Sequence, residues 1–183
     1  MSLISGLALA LHAQSLRERM FAVSRQLAAQ NSDARRPQQP GVRPMRLLLV
    51  EDNAGDVRLT HEALATTGAN ALVEVVPDGA EAMRYLRAEE PYSSAERPDL
   101  ILLDLNLPKV GGQEVLRFIK TDPNLRRIPV IVWTTSRSPQ DVTTAYENHA
   151  NCCVTKPSDW DSFQRLIEAA QRFWFGVVTL PPY

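Results

Sequence analysis

The segment at residues 100–112 reads LILLDLNLPKVGG. Its first four residues are apolar, and a carboxylate, Asp104, follows them directly. A proline at position 108 and glycines at positions 111 and 112 then end the apolar pattern. We interpret the segment as a short buried strand that ends in Asp104 and continues through a turn into a helix that begins near Gly112.

Three further apolar runs of the chain are also followed by polar side chains. The runs cover residues 47–50, 128–133 and 152–155. The polar residues that follow them are Glu51 with Asp52, then Thr134, and then Lys156. In an open parallel sheet the carboxyl ends of all strands lie on one edge, where ligand sites form. We therefore expect these side chains to meet Asp104 at that edge.

The expected set of side chains suits phosphoryl transfer. Carboxylates that lie close together repel each other, and a hard divalent cation such as Mg²⁺ relieves the repulsion through oxygen ligands. A metal ion, a carboxylate nucleophile, a hydroxyl and an ammonium group together supply the positioning and charge neutralisation on which phosphoryl transfer depends.

From residue 45 onward, predicted strands alternate with predicted helices, which is typical of a parallel α/β sheet. Strands are predicted near residues 46–51, 72–76, 99–103, 129–133 and 152–155. Helices are predicted near residues 55–67, 79–88, 112–121, 139–148 and 159–175. The connection at residues 91–98 is unusually long, and a surface insertion of this size costs little loop entropy.

This ordered set of residues resembles the receiver domain of two-component response regulators. The matching residues are Glu51, Asp52, Asp104, Asn106, Pro108, Gly112, Thr134, Lys156 and Pro157. Thr134 lies 30 positions and Lys156 lies 52 positions after Asp104, which are the spacings that the family uses. The resemblance covers about residues 45–175. It implies a five-stranded, parallel, doubly wound sheet of the flavodoxin-like kind, with strand order 2-1-3-4-5.

The resemblance also implies a role for each residue of the set. Asp104 would accept a phosphoryl group from a histidine kinase. Glu51, Asp52 and Asp104, with the backbone carbonyl of Asn106, would hold Mg²⁺. Thr134 would donate its hydroxyl to a phosphoryl oxygen, and Lys156 would place its ammonium on the carboxylate cluster or on the phosphoryl group. The Lys156–Pro157 peptide bond would be cis, which turns the lysine inward. The protein would be a phospho-accepting signalling protein rather than an enzyme.

Two further features follow from the family pattern. Asn106 and Ser136 occupy the positions that tune hydrolysis of the aspartyl phosphate in similar proteins. Cys153 stands where the family usually has an aromatic switch residue. Because a small thiol cannot swing like an aromatic ring, the resemblance predicts a different readout at Cys153.

The C-terminal segment resembles that of receivers paired with phytochrome-type light-sensing histidine kinases. Phe163, Leu166, Ile167, Ala170 and Phe173 follow helical spacing and are predicted to face the core. The apolar residues predicted to form a homodimer interface are Phe173, Trp174, Val177, Val178 and Leu180. Only one predicted helix follows Lys156, so we expect a single-domain regulator without a DNA-binding output.

Residues 1–44 are predicted to be an N-terminal extension that ends in a linker rich in Pro and Arg, and residues 45–183 the receiver with its dimerisation tail. The net charge of −1 gives no argument for a nucleic-acid or membrane partner. No apolar run is long enough to span a membrane. The adjacent Cys152 and Cys153 would form a strained disulfide, so free thiols and a cytoplasmic location are expected.

Two alternatives remain open on the sequence. A phosphohydrolase of the haloacid-dehalogenase type also uses an aspartate at a strand end. In that family a second aspartate stands two residues later, where this chain has Asn106. The other alternative is an interaction module that is never phosphorylated, and the complete set of acids with Lys156 speaks against it.

Overall fold

A computed structural model of the chain describes residues 43–68 and 70–181. These residues form five strands and five helices in strict alternation. They are β1 (Met45–Val50), α1 (Ala54–Thr67), β2 (Ala71–Val76), α2 (Gly79–Leu86), β3 (Leu100–Leu103), α3 (Gly112–Thr121), β4 (Val130–Thr134), α4 (Pro139–Glu147), β5 (Cys152–Thr155) and α5 (Trp160–Gly176). Each predicted element is present, and its bounds lie within one or two residues of the prediction.

The five strands form one parallel sheet in the order β2-β1-β3-β4-β5. The predicted fold and strand order are therefore confirmed. The central strands β3 and β4 are buried along their whole length, as expected for strands that helices cover on both faces. The edge strand β2 alternates between exposed and half-buried positions before it becomes buried at its last two residues.

The register sets the strand ends level with one another. Val50 pairs with Leu103, and Leu103 pairs with Val132. At the other side of β4, Thr134 pairs with Thr155. The residues that follow β1, β3 and β5 therefore emerge at the same level along the carboxyl edge of the sheet, with the end of β4 between those of β3 and β5.

Side-chain caps fix where the helices begin. The Asn53 side chain accepts hydrogen bonds from the backbone N–H groups of Gly55 and Asp56, at 2.8 and 3.4 Å. Asn53 thereby caps α1, and Asp52 next to it keeps an exposed carboxylate. Gly68 ends the same helix with φ of 68°, a left-handed conformation that glycine adopts without strain.

The folded domain includes the end of the predicted linker. The Arg43 guanidinium donates two hydrogen bonds of 2.7 Å to the buried carboxylate of Asp99. The same carboxylate accepts a hydrogen bond from the backbone N–H of Arg46 at 2.8 Å. Asp99 thus fixes the entry of the chain into β1. The remainder of the predicted N-terminal extension, residues 1–42, lies outside the described residues.

The long connection before β3 is anchored to α2. Tyr92 is buried, and its hydroxyl donates a hydrogen bond of 2.8 Å to Glu81 on that helix. Its ring meets the ring of Tyr85 edge to face at 5.4 Å. The insertion is therefore packed against the domain by aromatic contacts.

No helix in the described ranges is long and apolar enough to cross a bilayer.

A buried histidine in α1 makes the free energy of unfolding depend on pH. His61 is 6% exposed, and its Nε2 has no hydrogen-bond partner among the described residues. Burial lowers the pKa of His61 below its usual value, so the imidazole stays neutral in the folded state while the unfolded chain takes up a proton. This contribution to stability is complete above about pH 6.5 and is lost as the pH falls below it.

We expect His61→Leu to reduce the loss of stability between pH 7 and 5, by up to about 1.4 kcal/mol per pH unit. Urea unfolding of the wild type and the variant across this range measures the two slopes. Their difference isolates His61, because all other titrating groups are common to both proteins. His149→Asn removes an exposed histidine and serves as the control. Equal slopes in wild type and His61→Leu would contradict the prediction.

Candidate functional site

The carboxyl edge of the sheet brings together the side chains that the strand ends deliver. Glu51 follows β1, Asp104 follows β3 and Lys156 follows β5, while Thr134 is the last residue of β4. Backbone hydrogen bonds continue past the strands, from Asp104 N–H to the Val50 carbonyl at 3.1 Å and from Lys156 N–H to the Thr134 carbonyl at 2.8 Å. The backbone therefore holds these residues in register with their neighbours.

The centre of the site is the ammonium group of Lys156. Its Nζ lies 2.5 Å from Glu51 Oε2, 2.6 Å from Asp104 Oδ2 and 2.9 Å from Asp56 Oδ2. The lysine side chain is only 3% exposed. A buried charge is tolerable only when partners of opposite sign and hydrogen bonds surround it, and these three carboxylates meet that requirement.

The ionisation of the cluster follows from burial and from the neighbouring charges. The pKa of Glu51 is raised to about 7: burial is the largest cause, Lys156 opposes it, and the charge of Asp104 adds to the rise. Burial alone would lower the pKa of Lys156. The attraction of Glu51 and the hydrogen bonds to Asp104, Glu51 and Asp56 outweigh that effect, and the pKa of Lys156 is raised. The lysine therefore remains an ammonium group at neutral pH.

Asp104 is the carboxylate that β3 delivers to the cluster. It is 5% exposed, and both of its carboxylate oxygens are engaged. Oδ2 accepts from Lys156, and Oδ1 accepts from the backbone N–H of Asn106 at 3.0 Å. These two contacts orient the carboxylate at the end of β3.

Gly112 allows the chain to fold back onto Asp104. A Cβ atom at position 112 would lie 2.0 Å from the Asp104 carbonyl oxygen and 2.6 Å from the Cα of Leu105. The Gly112 N–H instead donates to the Leu105 carbonyl at 3.0 Å. Only a residue without a side chain permits this close approach of α3 to the end of β3.

Thr134 places a hydroxyl at the same edge. The residue is 1% exposed, and its Oγ1 accepts a hydrogen bond of 3.1 Å from the Ser136 N–H. This contact orients the oxygen and leaves the hydroxyl hydrogen to be donated. The Ser136 hydroxyl instead donates to Asp141 in the first turn of α4, at 2.5 Å. Ser136 therefore joins the end of β4 to α4.

The site opens to solvent at Asp52 and Asn106, whose side chains are exposed. In the described residues no group of three His, Cys, Asp or Glu side chains already surrounds one cation position. The donor chemistry still fits a hard divalent cation, because every available ligand atom is an oxygen. Two of these carboxylates, Glu51 and Asp104, already contact a single cationic group, the Lys156 ammonium.

One expectation at Lys156 is wrong. The cis peptide bond in the described part of the chain is Glu90–Pro91, so Lys156–Pro157 is not cis. The lysine nevertheless points into the site, where its ion pairs with buried carboxylates hold it.

Cys153, at the predicted switch position, is half-buried in the edge strand β5. Its backbone N–H donates a hydrogen bond of 3.4 Å to the hydroxyl of Tyr146, and the Tyr146 side chain is 51% exposed. Both Cys152 and Cys153 are free thiols, and burial raises the pKa of each. An aromatic ring is thus present beside Cys153, and it belongs to α4.

The C-terminal apolar residues divide into core and surface. Phe163 and Ile167 are buried, and Phe163 meets Trp133 edge to face at 5.4 Å. Phe173 was predicted to face the core and does not, because it is 51% exposed near the end of α5. Val177 is 74% exposed, whereas Trp174, Val178 and Leu180 are half-buried. An exposed apolar surface therefore lies at the end of α5.

Asp56 is the residue of the site that sequence reasoning missed. It lies in the first turn of α1 and contacts Lys156 from the helix rather than from a strand end. The available signal was its position in the first turn of the helix that directly follows Glu51 and Asp52.

The chain is similar to known response regulators. The family model described as the response regulator receiver domain matches residues 47–170. Response regulator Rcp1 of Synechocystis sp. is 44% identical over 138 residues, which cover 75% of this chain and 94% of Rcp1.

Solved structures agree with this match. The phosphorylated cyanobacterial phytochrome response regulator RcpA is 47% identical, with a TM-score of 0.73, over 76% of this chain and 99% of RcpA. The Mn²⁺-bound form of Rcp1 is 44% identical, with a TM-score of 0.73, over 76% of this chain and 100% of that chain. The match spans most of the described domain and confirms the resemblance, and the chain belongs to the response regulator receiver family.

Proposed function

We propose that this receiver accepts a phosphoryl group from a histidine kinase onto Asp104, in a phosphorelay that requires Mg²⁺. The observation that carries the proposal is the buried Asp104 carboxylate, which lies 2.6 Å from the Lys156 ammonium at the sheet edge that also holds Thr134. A carboxylate, an ammonium and a hydroxyl in this arrangement serve attack on phosphorus and stabilise the charge that develops there.

In the proposed reaction, a carboxylate oxygen of Asp104 attacks the phosphorus of a phosphohistidine on the kinase. A bond between that oxygen and phosphorus forms as the bond between phosphorus and the imidazole nitrogen breaks, and the freed imidazole takes up a proton. Lys156 neutralises charge on the transferred group, and the Thr134 hydroxyl donates a hydrogen bond to one of its oxygens. The same side chains hold the aspartyl phosphate after transfer.

Glu51, Asp52 and Asp104, with the Asn106 carbonyl, are the residues that would hold the divalent cation. When bound, such an ion neutralises the carboxylates and the phosphoryl oxygens together. Support comes from the oxygen-only donor set of this chain and from the Mn²⁺-bound form of the relative Rcp1. Asn106, exposed at the mouth of the site, is proposed to tune hydrolysis of the phosphate. Ser136 would act in tuning through its contacts with Thr134 and Asp141.

The proposed kinase is of the phytochrome type. The proposed location is the cytoplasm, where such a kinase would donate its phosphoryl group to this receiver. RcpA is by its name a phytochrome response regulator, and it is 47% identical to this chain. The proposed function and the phosphohydrolase alternative differ in their products. A phospho-accepting protein forms a stable aspartyl phosphate, whereas a phosphohydrolase releases a hydrolysed small substrate.

We also propose that two copies pair through the exposed apolar end of α5 and the tail. Phe173 and Val177 expose large apolar surfaces, and burial of such surface contributes about 25 cal/mol per Å². Phe173 meets Trp174 edge to face at 5.3 Å, which presents a joined aromatic surface for pairing. Twofold self-association is the commonest way for a protein to cover such a patch.

The first prediction of the proposed function tests the acceptor. We expect Asp104→Asn to remove phosphorylation completely while the fold persists, because an amide of nearly the same shape is not a nucleophile. Intact mass after incubation with acetyl phosphate and Mg²⁺ measures the bound phosphoryl group, and Glu147→Gln is the control at an exposed carboxylate. Undiminished label on Asp104→Asn would contradict the assignment. If acetyl phosphate labels the protein but a phytochrome-type kinase does not, the result would contradict only the proposed type of kinase.

The second prediction tests the metal ligands. Asp52→Ala is expected to weaken Mg²⁺ binding by about tenfold or more, because it removes a charged oxygen ligand from the open side of the site. Intrinsic tryptophan fluorescence, to which Trp133 next to Thr134 contributes, follows the titration. The Glu147→Gln variant should bind Mg²⁺ as the wild type does. Equal affinities in wild type and Asp52→Ala would remove Asp52 from the ligand set.

The third prediction tests the dimer. We expect Val177→Asp to shift the full chain from dimer to monomer at tens of micromolar, because it places a charge in the apolar contact. Light scattering measures the mass, and Leu72→Glu supplies a matched change at an exposed leucine of β2. A wild-type protein that is monomeric both with and without phosphorylation would show that the tail does not mediate self-association.

A further inference from the structure

The Lys156 ammonium has no hydrogen left for a phosphoryl oxygen. An ammonium group donates three hydrogen bonds. All three go to carboxylates, those of Glu51, Asp104 and Asp56. A phosphoryl group on Asp104 can therefore be contacted by Lys156 only if one of these three hydrogen bonds is given up.

The contact to Asp56 is the least costly of the three to give up. It is the longest, at 2.9 Å compared with 2.5 and 2.6 Å. The Asp56 side chain is 22% exposed, whereas those of Glu51 and Asp104 are 1% and 6% exposed. Glu51 would be left as an unsolvated carboxylate if it lost its partner, and Asp104, once phosphorylated on one oxygen, keeps its other oxygen as an acceptor for Lys156, whereas Asp56 can turn to water.

The position of Asp56 is fixed by the start of α1. Its N–H donates to the capping Asn53 side chain at 3.4 Å, and its carbonyl accepts from the Thr60 hydroxyl at 2.8 Å. A negative charge in the first turn of a helix is also favoured by the helix dipole. The fold thus places this carboxylate beside the lysine independently of the strand ends.

We propose that Asp56 is a positioning residue that holds Lys156 away from the phosphoryl group and thereby disfavours the phosphorylated state. The proposal rests on the proposed function of Asp104. On phosphorylation, the hydrogen bond from Lys156 to Asp56 is exchanged for one to a phosphoryl oxygen. The Asp56 carboxylate then faces the added negative charge of the phosphoryl group, which opposes the exchange further.

Binding of beryllium fluoride to the full chain at saturating Mg²⁺ tests the proposal at equilibrium, because this anion imitates a phosphoryl group on a carboxylate. Asp56→Asn and Asp56→Ala are expected to bind it about three- to fivefold more tightly than the wild type, as loss of a partly exposed ion pair predicts. Asp56→Glu retains a carboxylate near Lys156 and is expected to restore the wild-type affinity. Fluorine NMR measures the bound anion.

Glu62→Gln removes a charge from the exposed face of the same helix and is the matched control, expected to bind as the wild type does. A purely structural role for Asp56 would give the opposite sign, with weaker binding and a lower Tm. If the wild type binds the anion and Asp56→Asn and Asp56→Ala bind it with equal or lower affinity than the wild type, this proposal alone is overturned. No binding to the wild type would overturn the proposed function and this inference together.

Discussion

The ion pairs between the Lys156 ammonium and the carboxylates of Glu51 and Asp104 are the contacts on which the functional edge depends. These groups are almost fully buried, and burial of the positive charge is tolerable only beside the negative charges, and the reverse. They also join three strands, because Glu51 follows β1, Asp104 follows β3 and Lys156 follows β5. The pairing of the sheet and the charge balance of the site therefore stabilise each other.

Acid groups held this closely are stable only with compensating positive charge. The proposed phosphoryl transfer needs positive charge at the same place. In the described state Lys156 supplies the compensation, and the proposed divalent cation would add to it on the open side near Asp52. The cap at Asn53 matters here, because it satisfies the first N–H groups of α1 and spares Asp52 that role. Two acids therefore lie around the start of α1: Asp52 is exposed to solvent just before the cap, and Asp56 in the first turn contacts Lys156.

The sequence predicted the features that arise from local pattern. The strand-end residues Glu51, Asp104, Thr134 and Lys156 could be placed together because parallel strands align their carboxyl ends. Asp56 was missed because its contact depends on the orientation of α1 across the sheet edge. The exposure of Phe173 was missed because helical spacing does not show where the domain surface ends. The inward direction of Lys156 was attributed to a cis bond, whereas buried ion pairs account for it.

The most direct test of the account locates the phosphoryl group chemically on the unaltered protein. Wild-type chain phosphorylated by a histidine kinase is reduced with borohydride, which converts an aspartyl phosphate to homoserine, and the digested protein is sequenced by mass spectrometry. The account predicts homoserine at position 104 and at no other position. Homoserine at position 52 or 56, or phosphate that survives reduction on another side chain, would contradict it.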